Sequence, residues 1–175
     1  MTYHYSCWTS PIGRLHMAAS PTHLVALAFD QNWAQVRARL EGELVDKDTA
    51  LFKKLRAELT EYFGGRRRHL TTPVRLEGTP FQLAAWRALR KIPFGRTRSY
   101  AEQARAAGFP AAVRAIAAAN ARNPISILIP CHRLLGAGGQ LTGYGGGLEC
   151  KRRLLALEAG GVSKREKSRP SRRRR

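Results

Sequence analysis

Two Ser-Pro pairs, Ser10-Pro11 and Ser20-Pro21, cut the start of this chain into three short apolar-rich runs. Proline fixes φ and lacks an N–H, so each pair marks a turn rather than the middle of an element. The runs at residues 3–8, 13–19 and 24–29 have strand-like composition. The links between them are too short for the crossover that a parallel pair needs, so the spacing predicts antiparallel pairing. Helical signals follow. Residues 33–40 predict a short helix. Residues 49–63 predict a firmer one, because Leu51, Phe52, Leu55, Leu59, Tyr62 and Phe63 recur at helical spacing. Gly64-Gly65 ends it, and Arg66-Arg67-Arg68-His69 follows as a basic loop.

The pattern then changes. Thr79 is an N-cap residue with Pro80 at the first helical position, which predicts a helix through residue 89. Pro93-Phe94-Gly95 breaks the chain. Ser99 and Glu102 have capping-box spacing and open a helix that runs to about Ala107, with Gly108 as a left-handed cap. Pro110 is expected to open an alanine-rich helix through Ala121. Two short helices around a glycine turn match a helix-turn-helix. Ala111, Ala112, Ala115, Ala118 and Ala119 would let the second helix approach a surface closely, and they suit an ordinary packed helix equally well. A last helix is expected over residues 148–159, with Leu154, Leu155 and Leu157 buried and Lys151, Arg152 and Arg153 partly exposed. The expected fold is therefore an α/β N-terminal domain with a short antiparallel sheet (residues 1–75). A mainly α C-terminal domain containing the helix-turn-helix follows (residues 76–162). Residues 163–175 form a basic tail with nothing apolar to bury, expected to be disordered.

Lys and Arg number 31 against 12 Asp and Glu, a net charge of +19. Residues 164–175 hold eight basic residues and one glutamate, a net +7, which leaves +12 on the rest. A chain so charged seeks polyanions. The tail suits either a DNA-gripping arm or a solubilising extension. No apolar stretch approaches the roughly 18 residues needed to cross a bilayer, so no membrane partner is expected. The first residues lack the layout of a signal peptide. Three cysteines, Cys7, Cys131 and Cys150, are too few and too scattered for a disulfide framework. The expected setting is reducing and cytoplasmic (nucleoid-associated in a bacterium), where a thiol is free to react.

Chemistry concentrates at residues 123–133. An apolar run, predicted as a strand, ends in Pro130-Cys131-His132-Arg133. The thiolate is the useful nucleophile, and neighbouring positive charge or a base lowers the free thiol's pKa of about 8.5. His132 can act as that base, with a carboxylate to orient it. Lone cysteines are commonly inert core residues, and composition alone favours that reading.

The surrounding residues decide the matter. NPISILIPCHR, followed by GYGGGLECKRRLLALE, closely resembles the active-site region of the O6-alkylguanine-DNA alkyltransferases. The likeness is strong over residues 79–160. It is weaker over residues 1–78, where SPIGRLHMAAS resembles the family's N-terminal hairpin. The resemblance implies a ribonuclease-H-like fold for the N-terminal domain and direct-reversal repair of double-stranded DNA containing alkylated guanine. Under it, Cys131 is the alkyl acceptor, His132 its base acting through a water, and Glu158 the carboxylate that orients His132. Asn123 braces the turn around the site. Tyr100 assists flipping and donates to N3 of the leaving guanine, Arg114 fills the vacated stack, and Tyr144 walls the base pocket. The Gly145 amide and the carbonyls of Cys131 and Leu134 read the guanine edge, and Ser99 and Arg133 stand with the DNA-contacting residues.

Physical reasoning runs the same way. The O6 substituent lies inside a paired stack, so reaction there requires base flipping at a cost of a few kcal/mol. A wedge such as Arg114 offsets that cost. Guanine leaves with growing negative charge, which needs donors at N3 and O6. Gly143, Gly145, Gly146 and Gly147 are expected to let the backbone approach the base. The thioether product is stable, so each molecule acts once, as a monomer and without a cofactor. Cooperative loading on DNA and repair of O4-alkylthymine are left open. The family's zinc-bearing members use two cysteines and two histidines in the N-terminal half. Here Cys7 stands alone with His4, His16, His23 and His69, so no structural zinc is expected. Two other readings exist: a non-catalytic helix-turn-helix sensor or regulator, and a cysteine hydrolase using Cys131 and His132.

Overall fold

The structure is a computed structural model that describes residues 1–166. Strands β1 (Thr2–Ser10), β2 (Gly13–Ala19) and β3 (Leu24–Phe29) pair antiparallel, as the short links require. Gly13 closes the first hairpin at φ +124°. Helix α1 (Asp30–Arg37) leaves β3 directly, earlier than the sequence pattern predicts. Its start is fixed by Asn32, whose Oδ1 accepts the Phe29 amide at 3.0 Å. A fourth strand, β4 (Glu43–Asp46), escapes the sequence reading because four mostly exposed residues carry no clear alternation. It lies parallel to β1, so the sheet is mixed rather than purely antiparallel, in the order β3-β2-β1-β4.

Both faces of the sheet are covered. On one, Tyr3, Ala18, Ala26 and Ala28 meet Val36 of α1, with Trp33 and Leu40 alongside. On the other, Leu15, Met17, Leu27 and Phe29 pack against Phe52, Leu55, Leu59 and Tyr62 of α2 (Ala50–Phe63). The same cluster continues into Trp86, Ile116, Ile125 and Leu154 from the second half of the chain. One apolar core therefore joins the two halves. Each Leu or Phe buried in it is worth about 1.5–3 kcal/mol.

In the second half, α3 (Pro80–Arg90) and α4 (Tyr100–Ala106) start at the predicted N-caps, Thr79 and Ser99; Ser99 forms the expected capping box with Glu102, and the structure adds a second box between Thr79 and Gln82. Gly108 takes φ +88° after α4. Helix α5 (Val113–Ala121) begins later than Pro110. The proline sits instead in a turn closed by the Ala112 amide on the Phe109 carbonyl at 2.9 Å, at the second turn position that proline favours. Buried polar groups lock the three helices together. Gln103 and Asn120 exchange amide hydrogen bonds at 3.0 and 2.5 Å, Gln103 also donates to the Ala85 carbonyl, and Trp86 Nε1 donates to the Ala119 carbonyl at 2.9 Å. Arg114, Ala115, Ala118 and Ala121 are left on the exposed side of α5.

Two short strands, β5 (Arg98–Ser99) and β6 (Leu134–Leu135), pair in parallel beside the helices. Helix α6 spans Gly147–Glu166 and so extends into the segment expected as a tail; residues 167–175 of that segment lie outside the described residues. Within α6, Leu154 is buried while Leu155 and Leu157 are half-buried. Lys151, expected to be partly exposed, is fully buried. Among the described residues no helix is long and apolar enough to cross a membrane.

Candidate active site

The segment before Cys131 is not the strand its apolar run predicts. Ile125, Ile127 and Ile129 are all buried, yet the backbone between them reverses twice. Ile127 has φ +70°, within a tight turn closed by the Leu128 amide on the Ser126 carbonyl at 2.8 Å. A β-branched residue in that region is strained by about 1–3 kcal/mol. Pro130, at φ −82° and ψ 63°, makes the second reversal, and the Cys131 amide reaches the Ile129 carbonyl at 2.8 Å. A 3₁₀ turn over Cys131–Arg133 follows. Burial of each isoleucine satisfies the core without a ladder, which apolar periodicity alone does not distinguish from a strand.

Two anchors hold this loop. The outer edge of β3 supplies one: the Leu27 amide donates to the Pro124 carbonyl at 2.9 Å, and the Ser126 amide donates to the Leu27 carbonyl at 2.8 Å. Asn123 supplies the other. Its Oδ1 accepts the Ile125 amide at 3.0 Å, and its Nδ2 lies 2.8 Å from the Ile129 carbonyl and 3.3 Å from Cys131 Sγ.

Glu158 ties the turn to α6. Its carboxylate accepts from the Tyr62 hydroxyl (2.6 Å), the Gly95 amide (3.1 Å), His132 Nε2 (2.9 Å), Arg133 Nε (2.9 Å) and Arg133 Nη2 (2.8 Å). Burial alone would raise the Glu158 carboxyl, but the hydrogen bonds and charges of His132 and Arg133 outweigh it and hold the group well below the usual carboxylate range. An ionised Glu158 places the proton of a neutral His132 on Nε2. Burial, opposed by Glu158, keeps His132 below its ordinary pKa. Nδ1 then carries the lone pair, and it is buried without a hydrogen-bond partner among the described residues. The Cys131 thiol is pushed up by burial and drawn back by the Asn123 hydrogen bond and the charge of Lys151. Lys151 is itself lowered by burial and held by Nζ on the Thr142 carbonyl at 2.9 Å.

Cys131 opens onto a cavity of about 540 Å³, within the range of small-molecule sites. Tyr100, Asn123, Tyr144 and Gly145, all expected here, line it, and so does Asn32 of α1. Thr142 Oγ1 donates to the Tyr100 hydroxyl at 3.0 Å, so the proton of Tyr100 is not spent on that contact. His132 and Glu158 are buried behind the thiol.

Other expected residues stand elsewhere. Arg114 is exposed on the first turn of α5, outside the cavity lining, while Ala117 and Ala121 of that helix line it. Leu134 is fully buried and pairs with Arg98, and the Ser99 amide and hydroxyl are engaged by Glu102; neither residue lines the cavity. Arg133 requires a correction. Placed among the DNA contacts by the sequence reading, it is buried, with Nε and Nη2 on Glu158 and Nη1 on the Ile92 carbonyl at 2.6 Å. It neutralises Glu158 instead of facing a phosphate.

The glycines have a packing role beside the expected one, and Gly143 and Gly145 line the cavity. A Cβ at Gly145 would come within 2.5 Å of Asn32 Nδ2, one at Gly146 within 2.7 Å of the Phe29 ring, and one at Gly147 within 2.9 Å of Gln31 Oε1. These three make room for the segment that joins β3 to α1. Of the four glycines, Gly143 alone is a place where a Cβ would meet nothing within 4 Å.

Sequence reasoning missed Lys151 and Asn32. A signal existed for the first: Lys151, Leu154 and Glu158 share one helical face, and both partners were expected to point inward. None existed for Asn32, which reaches the cavity only through the fold.

Known proteins resemble this chain over most of its length. Residues 80–160 match the family described as "6-O-methylguanine DNA methyltransferase, DNA binding domain", and residues 3–76 match its "ribonuclease-like domain". The inducible methylated-DNA--protein-cysteine methyltransferase of Bacillus subtilis is 48% identical over 126 residues, covering 72% of this chain and 69% of that protein. The Mycobacterium tuberculosis protein of the same name is 42% identical over 156 residues, covering 89% and 92%. The crystal structure of Mycobacterium tuberculosis OGT in complex with DNA superposes with a TM-score of 0.80 at 41% identity, covering 90% of this chain and 94% of that one.

Proposed function

Because the chain belongs to the 6-O-methylguanine DNA methyltransferase family, we propose that it repairs alkylated guanine in DNA by moving the O6 alkyl group onto its own Cys131. The observation that carries this assignment is the thiol itself. Cys131 Sγ borders a cavity of about 540 Å³, accepts a hydrogen bond from Asn123, and adjoins a histidine whose other nitrogen is fixed by Glu158.

The reaction follows from these groups. With Nε2–H committed to Glu158, His132 Nδ1 takes the thiol proton through a water, and Lys151 and Asn123 favour the resulting thiolate. Sulfur attacks the alkyl carbon in line, the S–C bond forms as the C–O6 bond breaks, and the electron pair leaves with guanine. Tyr100 donates to N3, and the Gly145 amide faces O6, where charge grows. Tyr144 walls the base. Flipping is assisted by Arg114, which enters the stack from the exposed side of α5. Ser99 caps the helix that carries Tyr100, and the Cys131 carbonyl reads the guanine edge. The thioether is not reversed, so one molecule repairs one lesion.

In this reading residues 76–162 carry the DNA contacts and the acceptor, while residues 1–75 support them. A monomer suffices, since one sulfur does the work, and a reducing cytoplasm keeps that sulfur free. Incubation with duplex DNA containing O6-methylguanine tests the proposal by mass. A gain of a single methyl group on the Cys131 peptide, ending at one equivalent, is expected. Tight DNA binding with no mass gain would replace the transferase with a non-catalytic sensor, and repeated turnover of an acyl substrate would replace it with a hydrolase.

A further inference from the structure

We propose that Asn32 is a positioning residue for Gly145 and that its carboxamide sets how large an alkyl group the cavity accepts. The proposal rests on the alkyl-transfer reading and concerns a residue in the half of the chain that does not carry the acceptor.

Three observations converge on it. Asn32 lines the same cavity as Cys131, Tyr144 and Gly145. A Cβ built on Gly145 would lie 2.5 Å from Asn32 Nδ2, 3.0 Å from its Cγ and 3.4 Å from its Oδ1, so the flat face of the carboxamide packs against the Gly145 backbone. The carboxamide is also pinned, because Oδ1 accepts the Phe29 amide at 3.0 Å and cannot swing away without breaking the start of α1. The neighbouring contacts reinforce it: Phe29 sits against Gly146 and within ring contact of Tyr144 (centroids 5.7 Å apart), and Gln31 sits against Gly147.

Strand β3 connects the two sides of the cavity. Its Leu27 holds the acceptor loop through Pro124 and Ser126, and two residues later its end delivers Phe29 and then Asn32 to the glycine run. The distance between the sulfur and the Gly145 wall is therefore set by one rigid element. A small carboxamide at position 32 is the part of that wall that side-chain chemistry can move.

The test is a double-mutant cycle read with two probes, duplexes carrying O6-methylguanine or O6-benzylguanine, as single-turnover rates of Cys131 modification. Asn32→Ala is expected to raise the benzyl-to-methyl rate ratio about tenfold by opening the wall. Gly145→Ala is expected to lower that ratio, because its new methyl group meets a carboxamide that cannot yield, and the Gly145 backbone is displaced into the cavity instead. In the double variant the Gly145→Ala loss should shrink by about tenfold relative to the loss in the wild-type background. Asn32→Asp, which keeps the shape and the bond to the Phe29 amide, should restore the wild-type ratio.

If Asn32 were only the start of α1, Asn32→Ala would lower the melting temperature without moving the ratio, and Gly145→Ala would cost the same in both backgrounds; either result overturns the assignment. Should Asn32→Ala fail to fold, the ratio in Gly145→Ala decides alone, and no fall in it overturns the assignment. Failure of the wild-type protein to take a methyl group would overturn the transfer reading instead, so the two failures are separable.

Discussion

The Tyr62 hydroxyl donates to Glu158 Oε1 at 2.6 Å, joining the last turn of α2 to α6 across 96 positions of sequence. That carboxylate also holds His132 and Arg133, so α2 supports the acceptor turn through it. Tyr62→Phe should lower stability by about 1.5–3 kcal/mol, the worth of a hydrogen bond to a charged group. Glu158→Gln should cost more, about 3–5 kcal/mol, because it strands the buried Arg133 charge. Urea melts of both variants check the order, and an equal cost would mean that Glu158 is not the hub.

Acid should unfold this protein in two stages. The folded pKa of His132 is lowered, so its neutral form contributes stability that is complete above its unfolded value of about 6.5 and declines as pH falls below it. Glu158 is also lowered, and its contribution is present above about pH 4.3 and fades as pH drops towards its depressed folded value. Unfolding free energy measured at several pH values should fall first near neutrality and again in strong acid. Removing the imidazole with His132→Gln should erase the first decline.

Lys151 offers a kinetic test. Burial raises the Cys131 thiol, so transfer should accelerate with rising pH as the thiolate grows. The Lys151 charge opposes that shift. Lys151→Met should therefore move the pH–rate profile to higher pH and slow transfer at neutral pH. A profile that keeps its midpoint would remove Lys151 from the site's electrostatics.

Arg114 separates flipping from affinity. Arg114→Ala should slow transfer by more than it weakens binding, and should lower the dependence of log affinity on log salt by about one unit if the side chain also meets a phosphate. Rates within error of wild type would show that the exposed side of α5 needs no wedge.

The glycine run predicts unequal costs. Gly146→Ala places a methyl group against the Phe29 ring and should destabilise by about 1–3 kcal/mol, the usual penalty of overpacking. Gly143→Ala, with open space at its Cβ, should leave the melting temperature close to wild type. Thermal melts of the pair settle whether these glycines serve packing.

Much of this architecture was legible because it is local. The N-cap at Thr79, the capping box at Ser99, the Ser-Pro turns and the periodic face of α2 each act within a few residues, and each element formed where those signals lie. What was hidden depends on distant partners. The run over residues 125–129 reads as a strand until Asn123 and the edge of β3 claim its backbone groups. Arg133 reads as a DNA contact until Glu158, 25 positions away, takes its donors. The family resemblance likewise brought the acceptor and its histidine into view but said nothing about why Gly145, Gly146 and Gly147 stand together.

Ile127 holds a backbone shape that its side chain disfavours, one turn before the reactive sulfur. Folding meets that cost in advance, so the turn before the sulfur is already shaped when a lesion arrives. A catalyst that cycles has to let its nucleophile recover between rounds. A protein that fires once can be cocked during its own synthesis and never reset.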